Sequence, residues 1–471
     1  MEQSLIAEVV LALPLQKSLD YQVPPALRDL IAVGSRVVVP LEQRKVTGYV
    51  VAIKDSSEIE NIKPIAEVLD LRPLFGPSDL AFFKWVSFYY FSPLGEVIRT
   101  ALPSGINLKT NHYLALTPQG KERLQDSTLP PEEKEILSGL AEKHKIGLQT
   151  FKRTLRNKKA FSLLAGLIEN GFISLKQAAV SRMVRPKEEK FFRLNEDQVA
   201  QFSFSGLKQM LKKAPRQLQV LKLLREQGEL SQKQIFALRA IGSMVLKTLE
   251  EKGLITSYFK EVYRAPWSQE EPSRSCSFEL TAEQTEVVNK IVSAVKKQQY
   301  APFLLHGVTG SGKTEVYLRA IHATLEAGRG ALVLVPEIAL TPQLIARFKS
   351  WFGNQIAQVH SGLSPGERFD EWRRILKGEA RIVIGARSAI FAPLKSVGII
   401  VVDEEHDAAY KQEDRVRYNA RDMALVKAKM NNAVIVLGSA TPAIETYYNT
   451  RIGKINYLHL SQRIDSRPLP P

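Results

Sequence analysis

The chain has 471 residues, of which 44% are hydrophobic and 24% charged, a composition that excludes a disordered protein and allows about three domains. Its 65 Lys and Arg against 49 Asp and Glu leave a net charge of +16, which favours a polyanionic partner, nucleic acid before an anionic membrane surface. No run of about 18 apolar residues is present, so no helix is expected to span a membrane.

The opening stretch, MEQSLIAEVV, lacks the basic-then-apolar form of a secretory signal. Residues 1–105 read as a small β-rich domain. SRVVVP and VTGYVVAI are short β-branched strands separated by polar turn residues and punctuated by Gly34 and Gly48. An aromatic helix, DLAFFKWVSFYYF, should follow and pack on that sheet.

Beyond residue 110 the pattern turns helical. PEEKEILSGLAEK and APRQLQVLKLLREQG carry apolar residues at three-to-four spacing. They lead to matching closes, LLAGLIENGFISL and VLKTLEEKGLITSY. A helix followed by G-[FL]-I and a strand is how winged-helix modules finish, so two modules are expected, at 110–180 and 205–265. Such modules read DNA or serve as protein-contact spacers. From Lys143 to Lys159 there are seven Lys and Arg and no acidic residue, which favours a phosphate-contacting face over a merely solvated one. Cys276 is the single cysteine. It rules out an intrachain disulfide and a cysteine-based zinc cluster, and points to a reducing cytoplasm.

From 275 to 460, strands such as PFLLH, GALVLVP, ARIVIG, GIIVVD and AVIVLGS alternate with helices. That is a parallel α/β sheet with right-handed crossovers, whose functional edge lies at the carboxyl ends of its strands. GVTGSGKT, running Gly307, Val308, Thr309, Gly310, Ser311, Gly312, Lys313 and Thr314, fits G-x-x-x-x-G-K-[ST] between a strand and a helix. Its backbone should wrap the phosphates of ATP, with Lys313 on the β and γ phosphates and Thr314 on Mg2+. Asp403 ends the strand GIIVVD, where a carboxylate can hold the metal, and Glu404 beside it is placed to act as general base. A solvated strand end is the bland alternative, and the full phosphate loop outweighs it. Gln284 in LTAEQ can donate and accept with an adenine edge. Ser439 and Thr441 of GSATP follow another strand, where hydroxyls can link two sites. Together these patterns resemble a superfamily 2 helicase core.

The motifs VPEIALTPQ, GARSAIFAP, VVDEEHDAAYKQ, RYNARD and GSATP, with LPLQKSLDYQVP, VGSRVVVP and YYFSPLGEVIRTALP nearer the N-terminus, resemble the primosomal protein N′ (PriA) family of replication-restart helicases over essentially the whole chain. The resemblance implies a multidomain α/β protein: a β-rich 3′-DNA-binding domain, a winged-helix region, and a RecA-like parallel α/β P-loop lobe. It implies that Asp20, flanked by Leu19 and Tyr21, and Lys63 form a pocket for a DNA 3′ end. It further implies that Arg387 and Ser388 grip a single-strand backbone, that Tyr410 and Tyr418 stack on bases while Lys411 and Arg417 hold phosphates, and that His406 bridges the nucleotide and DNA sites. The bland reading of Asp20 is a turn residue before a strand. That of the tyrosines is packing.

The chain departs from the family pattern at Pro40-Leu41-Glu42, where Pro-Phe-Gly is usual, and at Val416 and Asn419, where proline and histidine are usual. A carboxylate in place of the glycine should weaken 3′-end binding. The family also has a zinc-binding, cysteine-rich segment and a second lobe. Neither zinc ligands nor an arginine finger follows Pro442, so the chain is expected to be a fragment, with 461–471 opening that region. Alone it should bind nucleotide weakly and hydrolyse it slowly, since a missing arginine finger costs about 10³ to 10⁵ in rate.

The implied function is an ATP- and Mg2+-dependent 3′→5′ DNA helicase, cytoplasmic and nucleoid-associated. It would recognise stalled or collapsed forks and start primosome assembly. Forked and single-stranded DNA, primosome proteins, single-stranded DNA-binding protein and a replicative helicase loader are the implied partners, with no membrane. A fork-binding assembly module without helicase activity is the alternative, and an RNA helicase a third possibility that the N-terminal resemblance disfavours.

Overall fold

The computed structural model describes residues 5–464 apart from 43, 71, 105, 107–108, 127–128, 143–145, 148–162, 165, 169, 181–185, 200–208, 210, 238–240 and 265–278. The basic run at 143–159 therefore lies almost wholly outside the described residues, as do Cys276 and residues 465–471.

Strands β1 (Ile6–Leu11), β2 (Leu19–Gln22), β3 (Arg36–Leu41), β4 (Arg44–Lys54) and β5 (Glu67–Val68) form an antiparallel sheet in the order β2-β1-β4-β3-β5. Alternation sorts the side chains of β1 between two cores. Ala7, Val9 and Leu11 join Val37, Val39 and Val50 on one face, while Val10 joins Tyr49 and Val51 on the other. On β3 the buried Arg36 guanidinium donates twice to Asp70, at 2.9 Å from Nε and 2.9 Å from Nη2. A two-pronged pair of this kind is what makes a buried arginine tolerable.

The predicted aromatic helix spans Pro77–Tyr89, and the Asp79 carboxylate accepts from the Gly76 N–H at its start, at 2.9 Å. Its buried face, Phe82, Phe83 and Val86, does more than cover the sheet. Phe82 and Phe83 also lie 6.4 and 6.1 Å from Phe391, far along the chain. The same interface holds a hydrogen bond from Trp372 Nε1 to Leu74 O at 2.9 Å. The N-terminal domain and the C-terminal lobe thus share one hydrophobic cluster inside one compact unit, Met1–Val184 with Glu271–Pro471.

Two helical modules follow the N-terminal domain. In the first, β6 (Lys109–Leu116) lies between β7 (Ile146–Gly147) and β8 (Ile173–Val180), with helices Pro118–Leu124 and Pro131–Glu142. The second, Arg185–Glu270, is a compact unit by itself. There β9 (Lys187–Leu194) lies between β10 (Glu229–Ser231) and β11 (Ile255–Val262), with helices Pro215–Gln227, Gln232–Ala237 and Ser243–Glu251. Both modules have the same strand order, with the first long strand in the centre. The expected start at 205 misses that central strand, because KEEKFFRL opens with four charged residues and carries no aliphatic run.

The C-terminal lobe is a seven-stranded sheet in the order β14-β15-β13-β16-β19-β12-β20. Its strands are β12 (Ala301–Gly307), β13 (Gly330–Leu334), β14 (Ile356–Val359), β15 (Ile382–Gly385), β16 (Val397–Asp403), β19 (Val434–Ser439) and β20 (Asn456–Leu460), and all pairs are parallel. The short hairpin β17 (Lys411–Gln412) and β18 (Tyr418–Asn419) stands outside that sheet. Because β19 lies between β12 and β16, GSATP falls between the phosphate loop and Asp403. In register, Ser439 lies opposite His306 and Gly438 opposite Asp403. Among the described residues, no helix is long and apolar enough to cross a membrane.

Candidate nucleotide and nucleic-acid site

The phosphate loop leaves β12 at Gly307 and enters helix Lys313–Glu326. Gly310 and Gly312 take φ of +84° and +82°, backbone that L side chains rarely adopt and that turns successive N–H groups toward one concavity. A Cβ on Gly312 would also lie 2.4 Å from Gln284 Nε2. Ser311 Oγ is buried with no hydrogen-bond partner, and Lys313 Nζ rests on Gly307 O at 2.8 Å. An orphaned hydroxyl, a tethered ammonium and a helix N-terminus in one concavity fit a polyphosphate.

Opposite the loop, Asp403 Oδ1 accepts from the Tyr317 hydroxyl at 2.9 Å. Burial raises the Asp403 pKa. The Tyr317 hydrogen bond and Lys313 oppose the rise, and Glu404 adds to it. Glu404 has φ of +46° and a carboxylate 4.0 Å from Lys313 Nζ. Lys313, Asp403 and Glu404 are therefore brought together, and the two carboxylates with the Thr314 hydroxyl at the helix start are the oxygen donors that Mg2+ takes. The hydroxyl cluster also forms. His406 Nδ1 and Ser439 Oγ are 2.7 Å apart, and Thr441 reaches Ser439 Oγ through its N–H at 3.0 Å and His406 Nε2 through its hydroxyl at 3.5 Å.

Gln284 stands differently from its expected role. It is buried, its Oε1 accepts from the Thr281 N–H at 3.0 Å, and its Nε2 donates to Ser311 O at 2.9 Å. The amide closes a capping box and braces the phosphate loop. The T-x-x-Q spacing carried that signal. Sequence reasoning missed three further features. Glu405, buried, accepts from Arg421 Nη1, the Ala443 N–H and Thr446 Oγ1, at 3.3, 2.7 and 2.8 Å. Arg463 donates to Thr309 O at 2.9 Å, and the Ile464 N–H donates to Gly310 O at 3.2 Å, so the segment after β20 lies against the phosphate loop. The third is Tyr317.

The expected DNA-contacting residues divide. Ser388, Lys411 and Arg417 are exposed, and Arg387 donates to Ala409 O and Lys411 O at 3.3 and 2.9 Å, bracing the segment behind DEEH. Tyr410 and Tyr418 are 1% and 4% exposed, so neither ring offers a face to a base. The Tyr410 hydroxyl donates to Leu334 O at 3.0 Å and to Asp403 O at 2.5 Å, and the Tyr418 ring lies edge-on to Phe391, centroids 5.2 Å apart. Burial raises the pKa of both phenols. The expectation of base stacking is corrected here to core packing, because residues distant in sequence, Leu334 and Phe391, close over these rings.

In the N-terminal domain, Asp20 is half-buried and accepts from Ser57 Oγ at 2.6 Å and Lys54 Nζ at 3.4 Å. Lys63 is exposed, and its carbonyl accepts from the Gln22 N–H at 3.0 Å, which places it beside β2. Tyr21 is buried and donates to Pro40 O at 3.1 Å. It thereby supports the divergent Leu41–Glu42 turn, where Glu42 has φ of +53°.

Comparison with known proteins gives two family matches, a 3′DNA-binding domain (3′BD) at residues 8–103 and a DEAD/DEAH box helicase at residues 281–450. The chain is 34% identical over 460 residues to the replication restart protein PriA of Bacillus subtilis, covering 97% of this chain and 55% of that protein. With the replication restart protein PriA of Synechocystis it shares 34% identity over 479 residues, covering 99% of this chain and 56% of that one. It spans about half the length of the curated relatives it matches. A hypothetical ATP-dependent RNA helicase from Sulfolobus tokodaii is similar over 39% of the chain and 53% of its own, at 21% identity and a TM-score of 0.29, which adds nothing to the assignment.

Proposed function

The chain belongs to the family of replication restart protein PriA, and from that premise we propose that it is a fork-binding, ATP-binding 3′→5′ DNA helicase that initiates primosome assembly. The observation that carries this reading is the convergence of Lys313, Asp403 and Glu404 at one sheet edge, in the same compact unit as the 3′ DNA-binding domain.

Bound ATP and Mg2+ would supply the scissile phosphoanhydride and the charge that offsets its negative oxygens. Residues 307–314 hold the phosphates, Lys313 neutralises them, and Thr314 and Asp403 ligate the metal. Glu404 takes the proton of an attacking water on its carboxylate. His406, Ser439 and Thr441 connect this site to the face carrying Ser388, Lys411 and Arg417, which hold phosphates of a single strand. Asp20 and Lys63 meet a DNA 3′ end. Single-stranded DNA-binding protein, other primosome proteins and a replicative helicase loader are the proposed protein partners.

Fluorescence anisotropy on forks with a free or blocked 3′-OH, at fixed salt, tests the end-recognition part. Tighter binding to the free end is expected, and equal affinity overturns it. DNA-stimulated ATPase activity tests the rest: Glu404→Gln should abolish turnover and leave nucleotide binding intact.

A further inference from the structure

Tyr317 lies one turn beyond Thr314 on the phosphate-loop helix, and the helical repeat returns it to the same side. It is buried, and its hydroxyl donates to Asp403 Oδ1 at 2.9 Å. That hydroxyl occupies the space beside Gly438 of GSATP. A Cβ built on Gly438 would lie 1.7 Å from the Tyr317 oxygen, 2.9 Å from its Cζ and 3.3 Å from Asp403 Oδ1. One phenol therefore touches all three elements of the site: the phosphate-loop helix that bears it, the acidic strand end, and the serine-threonine strand between them.

We propose that Tyr317 is a positioning residue that sets the orientation of the Asp403 carboxylate toward Mg2+, and that position 438 is glycine to admit its hydroxyl. This rests on the reading of Gly307–Thr314 and Asp403 as a Mg-nucleotide site. A donor on one carboxylate oxygen fixes the plane of the group, and so the direction of the other oxygen. The backbone of Asp403 is held as well, since its carbonyl accepts from Tyr410 at 2.5 Å. With the main chain tied, rotation of the side chain is the remaining freedom, and Tyr317 restrains it. A tyrosine hydroxyl carries one O–H, and here it donates to the Asp403 carboxylate. Phenylalanine at 317 would fill the same space without a donor. Alanine at 438 would displace the donor while leaving it in the sequence. The two changes attack one contact from opposite sides.

The test measures binding of N-methylanthraniloyl-ADP to the 471-residue chain in EDTA and in MgCl2. In wild type, Mg2+ tightens binding. In Tyr317→Phe that tightening should shrink roughly tenfold, the scale of one hydrogen bond to a charged group, while EDTA binding, which also reports that the fold is intact, stays within about twofold. Gly438→Ala should reproduce the loss, and the double variant should add nothing to it. Wild-type tightening in either single variant overturns the positioning role and leaves the nucleotide site standing. Wild-type chain that binds no nucleotide, indistinguishable from Lys313→Ala, overturns the site and this inference with it.

Discussion

Tyr90 and Asn419, 329 positions apart, exchange two hydrogen bonds: the Asn419 N–H donates to the Tyr90 hydroxyl at 3.2 Å, and that hydroxyl donates to Asn419 O at 3.4 Å. The N-terminal domain thereby grips the hairpin behind DEEH at the residue where the family pattern has histidine. Asn419 also caps the helix Ala420–Met430 through its Oδ1. Tyr90→Phe should lower stability by about 1 kcal/mol and speed hydrogen exchange at the Asn419 amide in the intact chain. Unchanged protection at Asn419 would remove the link.

Tyr410 separates two roles by chemistry. As a stacking ring it would tolerate phenylalanine; as a hydroxyl bridge between β13 and β16 it would not. Tyr410→Phe leaves Leu334 O and Asp403 O short of a donor, which should cost about 1–3 kcal/mol in urea unfolding. Single-strand affinity should change less than twofold. An unfolding curve that does not move would exclude the hydroxyl bridge.

Lys427 is buried against Phe82, its ammonium 5.2 Å from the ring centroid, and donates to Ile390 O at 2.7 Å and Ala392 O at 3.0 Å. Burial pulls its pKa from 10.5 down to about 8. The folded chain then binds fewer protons than the unfolded one between about pH 8 and 10.5, so stability rises with pH across that window. The penalty, on the order of 3 kcal/mol at neutral pH, is present in full below the folded value and relieved above the unfolded one. The neutral amine keeps two N–H donors for its two carbonyls. Asp79, the carboxylate facing it, has a pKa raised by burial, with Lys427 opposing the rise. Lys427→Met should flatten the rise in melting temperature from pH 8 to 10, and a rise of unchanged slope would exclude Lys427 as its source.

At Glu42 the backbone holds φ of +53°, a conformation that costs a non-glycine residue about 1 kcal/mol. Glu42→Gly should recover about half of that, since glycine loses more chain entropy on folding, and should tighten binding to oligonucleotides with a free 3′-OH. Anisotropy titrations that show weaker binding would mean that the carboxylate contributes to the DNA site.

The phosphate loop, Asp403 and the parallel lobe were legible because each motif depends on local order: strand, glycine turn, helix N-terminus. Gln284 was half legible, since T-x-x-Q announces a capping box but not that its free amide hydrogen reaches Ser311 O. Tyr410 and Tyr418 misled because aromatics among Lys and Arg look alike whether they face bases or a core. Leu334 and Phe391, which decide the matter, lie 76 and 27 positions away. Tyr317 could have been found from helical spacing after Thr314, yet its acceptor and the glycine that admits it belong to other strands. The start of the second module was hidden by the polar face of β9.

The cluster that joins Phe82 and Phe83 to Phe391 makes the lobe unusual as an object for dissection. Its outer wall on that side is contributed by residues up to Ile106, so a cut between the two family-matched segments would leave two raw apolar faces instead of two finished domains. Expressed separately, each half should be prone to aggregate, and mixing them should rescue both. For the same reason Phe82, which touches neither nucleotide motif, belongs genetically with the ATPase: a destabilising change there should give the phenotype of a helicase-lobe mutant, not that of an end-binding mutant.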